Sequence, residues 1–154
     1  MTDATAVRRR VRLLNVPTDL LLRNRRHLDD LLHELQIMQA GVASGEVQPG
    51  PRLAAVMSGI LDTYSPARDV VWEQAERARA VGRETVDIDV EVPVAVAVDA
   101  ARMVELLEQA DRMCHDLELL TLAAPPEVAE LRRWISAQMA AQVDRGDEPQ
   151  PYRR

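Results

Sequence analysis

The chain has 154 residues, 47% of them apolar and 29% charged, with 19 basic against 25 acidic side chains and a formal charge of -6. That balance suits one globular core and argues against a disordered or fibrous chain, while no apolar run approaches the roughly 20 residues of a membrane span. Every basic residue is arginine, which excludes a Walker lysine, a Schiff base and a catalytic ammonium.

The N-terminal residues carry no apolar signal stretch, and the single cysteine, Cys114, cannot close an internal disulfide; both point to a soluble cytoplasmic protein. From Thr18, a candidate N-cap, Leu20, Leu21, Leu28, Leu31, Leu32, Leu35 and Met38 recur at three and four residues, the stripe of a first helix ending near Gly41. Its far side carries Arg25 with Asp29 and Arg26 with Asp30 at i,i+4 spacing. Residues 41–51, rich in glycine and proline, read as a loop. A second helix starts at Pro51 and carries Leu53, Val56, Met57, Ile60, Leu61 and Tyr64. Ser65 and Pro66 open a third helix with a thin stripe of Ala67, Val70, Val71, Gln74, Ala78 and Val81, which leaves Trp72 near the other side; Gly82 stops it.

The period then changes. Val86, Ile88, Val90 and Val92 alternate with Asp87, Asp89 and Glu91, a two-residue repeat with one acidic face. Its only partner of matching period is Arg10 and Arg12 alternating with Val11 and Leu13, so a two-stranded antiparallel ribbon of about 9–14 with 86–92 is predicted, with opposite charges across it. Asp99 can cap a fourth helix whose face runs Met103, Leu106, Leu107, Ala110, Met113, Cys114, Leu117, Leu120. Pro125 and Pro126 open a fifth, with Val128, Leu131, Ile135 and Met139 inward and Trp134 at the edge. The expected fold is mostly α: a five-helix, bundle-like single domain over 1–143 with one small ribbon, followed by an irregular C-terminal arm over 144–154.

No G-x-G-x-x-G or G-x-x-x-x-G-K loop is present to cradle phosphate, and Ser44, Ser58, Ser65 and Ser136 lack a G-x-S-x-G elbow. Cys114, on an apolar stripe, reads as a packed neutral thiol. His27, Asp30 and Glu34 share one edge of the first helix and Asp111, His115 and Glu118 one edge of the fourth; facing each other, they are the candidate ligands of a metal-dependent bundle enzyme. Without H-E-x-x-H or E-x-x-H, the plainer reading is a solvated charged edge with no metal and no cofactor. Arg8, Arg9, Arg10 and Arg12 are the case for nucleic acid, opposed by the acidic balance of the chain, and the ribbon gives these arginines a structural use instead.

Three stretches carry a resemblance: Val11-Arg12-Leu13-Leu14-Asn15-Val16-Pro17; His27-Leu28-Asp29-Asp30-Leu31-Leu32-His33-Glu34-Leu35; and Leu119-Leu120-Thr121-Leu122-Ala123-Ala124-Pro125-Pro126-Glu127 followed by Leu131-Arg132-Arg133-Trp134. Together they resemble small actinobacterial proteins of unassigned activity associated with the partner switching of alternative sigma factors, beside anti-sigma kinases, their antagonists and Ser/Thr phosphatases. The kinase's own asparagine box and Asp-x-Gly-x-Gly loop are absent. What the resemblance implies is a non-enzymatic regulatory module whose partner is an anti-sigma factor, antagonist or phosphatase. Arg132, Arg133, Trp134 and Tyr152 are its candidate contact residues, the arginines for carboxylates and the ring as anchor. A homodimer completing the thin third helix, and a small-molecule sensor with a pocket between the first and fourth helices, are the alternatives.

Overall fold

The computed structural model describes residues 7–64 and 68–153. Its elements are β1 (Arg8–Pro17), α1 (Thr18–Ser44), α2 (Pro51–Thr63), α3 (Asp69–Ala80), β2 (Thr85–Pro93), α4 (Val96–His115) and α5 (Pro126–Asp144). Five helices and a two-stranded antiparallel sheet make a mostly α domain around one continuous apolar cluster.

The ribbon forms where the alternating segments predict it and runs longer at both ends: Arg10 faces Glu91, Val11 faces Val90, Arg12 faces Asp89 and Leu13 faces Ile88. Val11, Leu13, Val86, Ile88, Val90 and Val92 point inward, and the charged residues stay outside, where Arg10 binds the Asp89 carboxylate through two guanidinium nitrogens. One extra residue between Leu13 and Val16 makes a bulge that returns Val16 to the core side. Asn15 takes up that residue at φ 56°, a left-handed value asparagine tolerates, and its N–H donates to Asp87 Oδ1 at 2.8 Å.

Both outer edges of the ribbon are closed by glutamine. The Gln142 carboxamide of α5 accepts from the Arg12 N–H at 2.9 Å and donates to the Arg12 carbonyl at 2.8 Å. On the opposite edge, Gln74 of α3 accepts from the Asp89 N–H at 3.1 Å and donates to the Asp89 carbonyl at 3.0 Å. Arg12 and Asp89 face each other in the register, so the two carboxamides extend one rung of the ladder on both sides. The segment after α5 covers more of the β1 edge: the Tyr152 N–H donates to the Leu14 carbonyl at 2.8 Å, and Pro151 bridges Leu14 in parallel. The C-terminal arm is therefore irregular but docked, with Tyr152 buried.

Several boundaries differ from expectation. Thr18 does not cap α1: β1 runs straight into the helix, Pro17 is the N-cap residue, and the Thr18 N–H is taken by the Glu84 carbonyl. The helix passes Gly41 and stops at Gly45, whose φ of 79° lets the Gly45 N–H donate to the Val42 carbonyl and the Glu46 N–H to the Gly41 carbonyl. The loop shrinks to residues 45–50 and folds back so that Val47 fills the space a Gly41 Cβ would need, only 2.6 Å away. α4 begins at Val96, three residues before Asp99, which adds a turn that buries Ala97. The Ser65, Pro66 and Ala67 start proposed for the third helix lies outside the described residues.

α3 is rotated from its expected stripe. Trp72, Ala75 and Ala78 are buried, while Val70 and Val81 are exposed. One indole carries more apolar surface than either valine alone, and the alanines let the helix lie close against α1 and β2. On α4 the stripe holds through Cys114 and then fails, since Leu117 and Leu120 are solvent-facing and Leu119 turns inward in their place.

Candidate functional site

The connector between α4 and α5 holds the largest concentration of apolar surface left in water among the described residues. Leu117, Leu120 and Leu122 are 85%, 91% and 84% exposed. Leu117 sits at φ 59°, the left-handed position that usually ends a helix with glycine; its N–H donates to the Cys114 carbonyl and the Glu118 N–H to the Met113 carbonyl. That reversal sends Leu119 into the core and the three other leucines out.

The connector is fastened along α1 at two places. Glu34 receives the Leu120 N–H at 2.5 Å, the Thr121 N–H at 2.7 Å and the Thr121 hydroxyl. Partial burial works to raise the Glu34 pKa and is the largest single influence, but the three hydrogen bonds together outweigh it and hold the carboxyl below its ordinary value. Two turns earlier on α1, His27 Nε2 lies 2.7 Å from the Leu122 carbonyl, and Asp111 of α4 accepts the Ala124 N–H at 3.0 Å.

Behind this second fastening is a buried polar junction. Arg132 of α5 is 6% exposed; its Nε donates to Asn24 Oδ1 at 2.7 Å, its Nη2 to His27 Nδ1 at 2.8 Å, and its Nη1 lies 3.9 Å from Asp111 Oδ2 with no hydrogen-bond partner. A guanidinium only donates, so His27 must accept at Nδ1 and carry its proton on Nε2, the neutral tautomer that serves the Leu122 carbonyl. Burial and then the Arg132 charge push the His27 pKa down, against the Leu122 carbonyl hydrogen bond and then Asp111 and Asp30. Burial likewise pushes Arg132 down to about 10. Cys114 is pushed up to about 11 by burial, then by Asp111 and Glu34, so the thiol is neutral and packed.

These placements redistribute the residues singled out from the sequence. Of the six candidate metal ligands, Glu34, His27 and Asp111 are engaged with the connector backbone, whereas Asp30, His115 and Glu118 are exposed. Among the described residues, no three His, Cys, Asp or Glu side chains converge as a cation site. The four candidate contact residues do not form one open patch. Arg132 and Tyr152 are inside, Trp134 is half-buried and meets the Tyr152 ring edge-on at 5.0 Å, and Arg133 is exposed and bound to Glu108 at 2.9 Å. Leu117 and Leu120 keep the spacing of the buried α4 stripe but lie outside it, and the one warning in the sequence is the run of apolar residues persisting to Pro125 after the charged positions of α4 run out. A cleft of about 650 Å³ lies between the β1–α1 junction, Arg79 at the end of α3, and Tyr152, rather than between α1 and α4.

No family model, no curated protein and no solved structure matches the chain. No helix among the described residues is long and apolar enough to cross a membrane.

Proposed function

We propose that this protein is a non-enzymatic regulatory module of the cytoplasm that binds another protein through the α4–α5 connector. The observation that carries this reading is the pairing of exposure with fixation: three leucines stand in water on a segment whose backbone is held by Glu34, His27 and Asp111. Large apolar side chains so exposed weaken solubility unless a partner covers them, and a pre-ordered segment loses little conformational entropy when one does. The resemblance to small actinobacterial proteins of sigma-factor partner switching supplies the setting, with an anti-sigma factor, its antagonist or a Ser/Thr phosphatase as the partner. Arg133 and the half-exposed Trp134 provide a second, polar contact on α5.

The test uses purified full-length chain as bait in an actinobacterial lysate, in three forms: wild type, Leu117→Ser/Leu120→Ser/Leu122→Ser, and Arg133→Ala/Trp134→Ala. The captured protein is then purified and its affinity measured by calorimetry. A regulator of the named classes, bound at least about tenfold more weakly by the leucine variant, supports the reading. Equal binding by wild type and leucine variant overturns it.

A further inference from the structure

The cleft between the β1–α1 junction and the turn after α3, about 650 Å³, falls within the roughly 300–1,000 Å³ of small-molecule sites. Its wall includes the start of α1, a helix of 27 residues whose N-terminus has no side-chain cap. Pro17 brings no N–H there, and the Thr18 N–H is taken by the Glu84 carbonyl. The N–H groups of Asp19 and Leu20, which precede the first intrahelical bond, remain for an acceptor at the positive end of the helix. Thr18 lines the same cleft with 3% of its surface exposed, and its Oγ1 has no hydrogen-bond partner among the described residues. A buried hydroxyl ordinarily has a partner, and one that arrives with a ligand accounts for its lack here.

The charges of the cleft are balanced. Arg79, Arg83, Asp19 and Glu84 all line it and all are exposed, yet none of the four is in an ion pair among the described residues. We infer that the cleft binds a free amino acid in its zwitterionic form. The ligand carboxylate accepts from the first-turn N–H groups of α1, from the Thr18 hydroxyl and from a guanidinium, and the ligand ammonium is held by the Asp19 and Glu84 carboxylates. A simple anion suits the helix end but is repelled by the two carboxylates beside it. A simple cation meets two guanidiniums and the positive end of α1. A ligand with one charge of each sign matches both halves of the lining.

The site is distinct from the α4–α5 connector and does not rest on the regulatory reading. Nuclear magnetic resonance of the nitrogen-labelled full chain tests it: each of the twenty common L-amino acids is titrated at constant ionic strength while the Asp19, Leu20 and Gly82 backbone amides are followed. Acetate, methylammonium and inorganic phosphate are titrated in parallel. The expected result is a saturable shift of these amides by at least one amino acid, with each single-charge ion bound at least about tenfold more weakly. Arg79→Gln/Arg83→Gln, at exposed positions, should lose at least about tenfold in affinity, and Thr18→Val, which keeps the side-chain shape and should melt no lower than the wild type, about fivefold. No saturable shift with any amino acid, acetate or phosphate binding as tightly as the best amino acid, or affinity unchanged in both variants overturns the inference.

Discussion

The ribbon and the connector face the same problem, backbone groups with no regular neighbour, and resolve it with different chemistry. At the ribbon edges neutral carboxamides from α5 and α3 supply one donor and one acceptor each, and the valines of the strands point inward. At the connector, ionisable side chains do the fastening and the leucines point outward. An edge closed by amides excludes an incoming strand, which protects the monomer from edge-to-edge association. The connector is pinned from behind by Glu34, Asp111 and a neutral His27, with apolar side chains in front. The contrast separates apolar surface buried in folding from apolar surface left in water, and it can be pushed on from either side.

The largest expected effect lies behind the connector. Arg132→Ala strands Asn24, His27 and Asp111 around a vacated site, and removal of one partner from a buried charged cluster typically costs about 3–5 kcal/mol, to be read from urea unfolding. The ribbon edges come next. Gln142→Ala removes the partner of the Arg12 N–H and carbonyl at a buried position and should cost about 1–3 kcal/mol, whereas Gln74→Ala, at a wetter edge, should cost less. An equal cost at both would break the distinction between a buried and a hydrated edge. Acid provides a finer test. Because the folded state holds His27 below its ordinary pKa, the unfolded chain takes up a proton that the folded chain refuses, and stability declines as pH falls through the unfolded value near 6.5. The slope from one such group is at most about 1.4 kcal/mol per pH unit, and His27→Gln should flatten it in unfolding measured between about pH 7.5 and 5.5. The smallest effect belongs to Leu117→Gly: relief of the left-handed backbone should raise stability by about 1 kcal/mol in the same assay, with the fold unchanged.

The elements that could be read in the sequence are those whose partners share their period. Arg10 and Arg12 against Asp89 and Glu91 announce a ribbon because alternation and charge agree, and α1, α2 and α4 announce themselves by dense apolar stripes. α3 was legible as a helix but not as a face, since two valines on one side and one tryptophan on the other give little contrast until α1 and β2 are in place. Arg132 and Arg133 look alike in sequence; what separates them is Asn24, 108 residues away, and His27. The connector was hidden for the same kind of reason. Leu117 and Leu120 keep helical spacing with α4, so only the left-handed turn at Leu117 and the hold of Glu34 on the Leu120 N–H, 86 residues distant, turn them outward.

The two strands of the ribbon are separated by three helices in the chain. At about 5–20 residues per second of synthesis, β1 leaves the ribosome several seconds before its partner strand exists. During that interval the strand is an unmatched β segment on a nascent polypeptide, and its four arginines between positions 8 and 12 place a like charge along it that disfavours pairing with an identical strand.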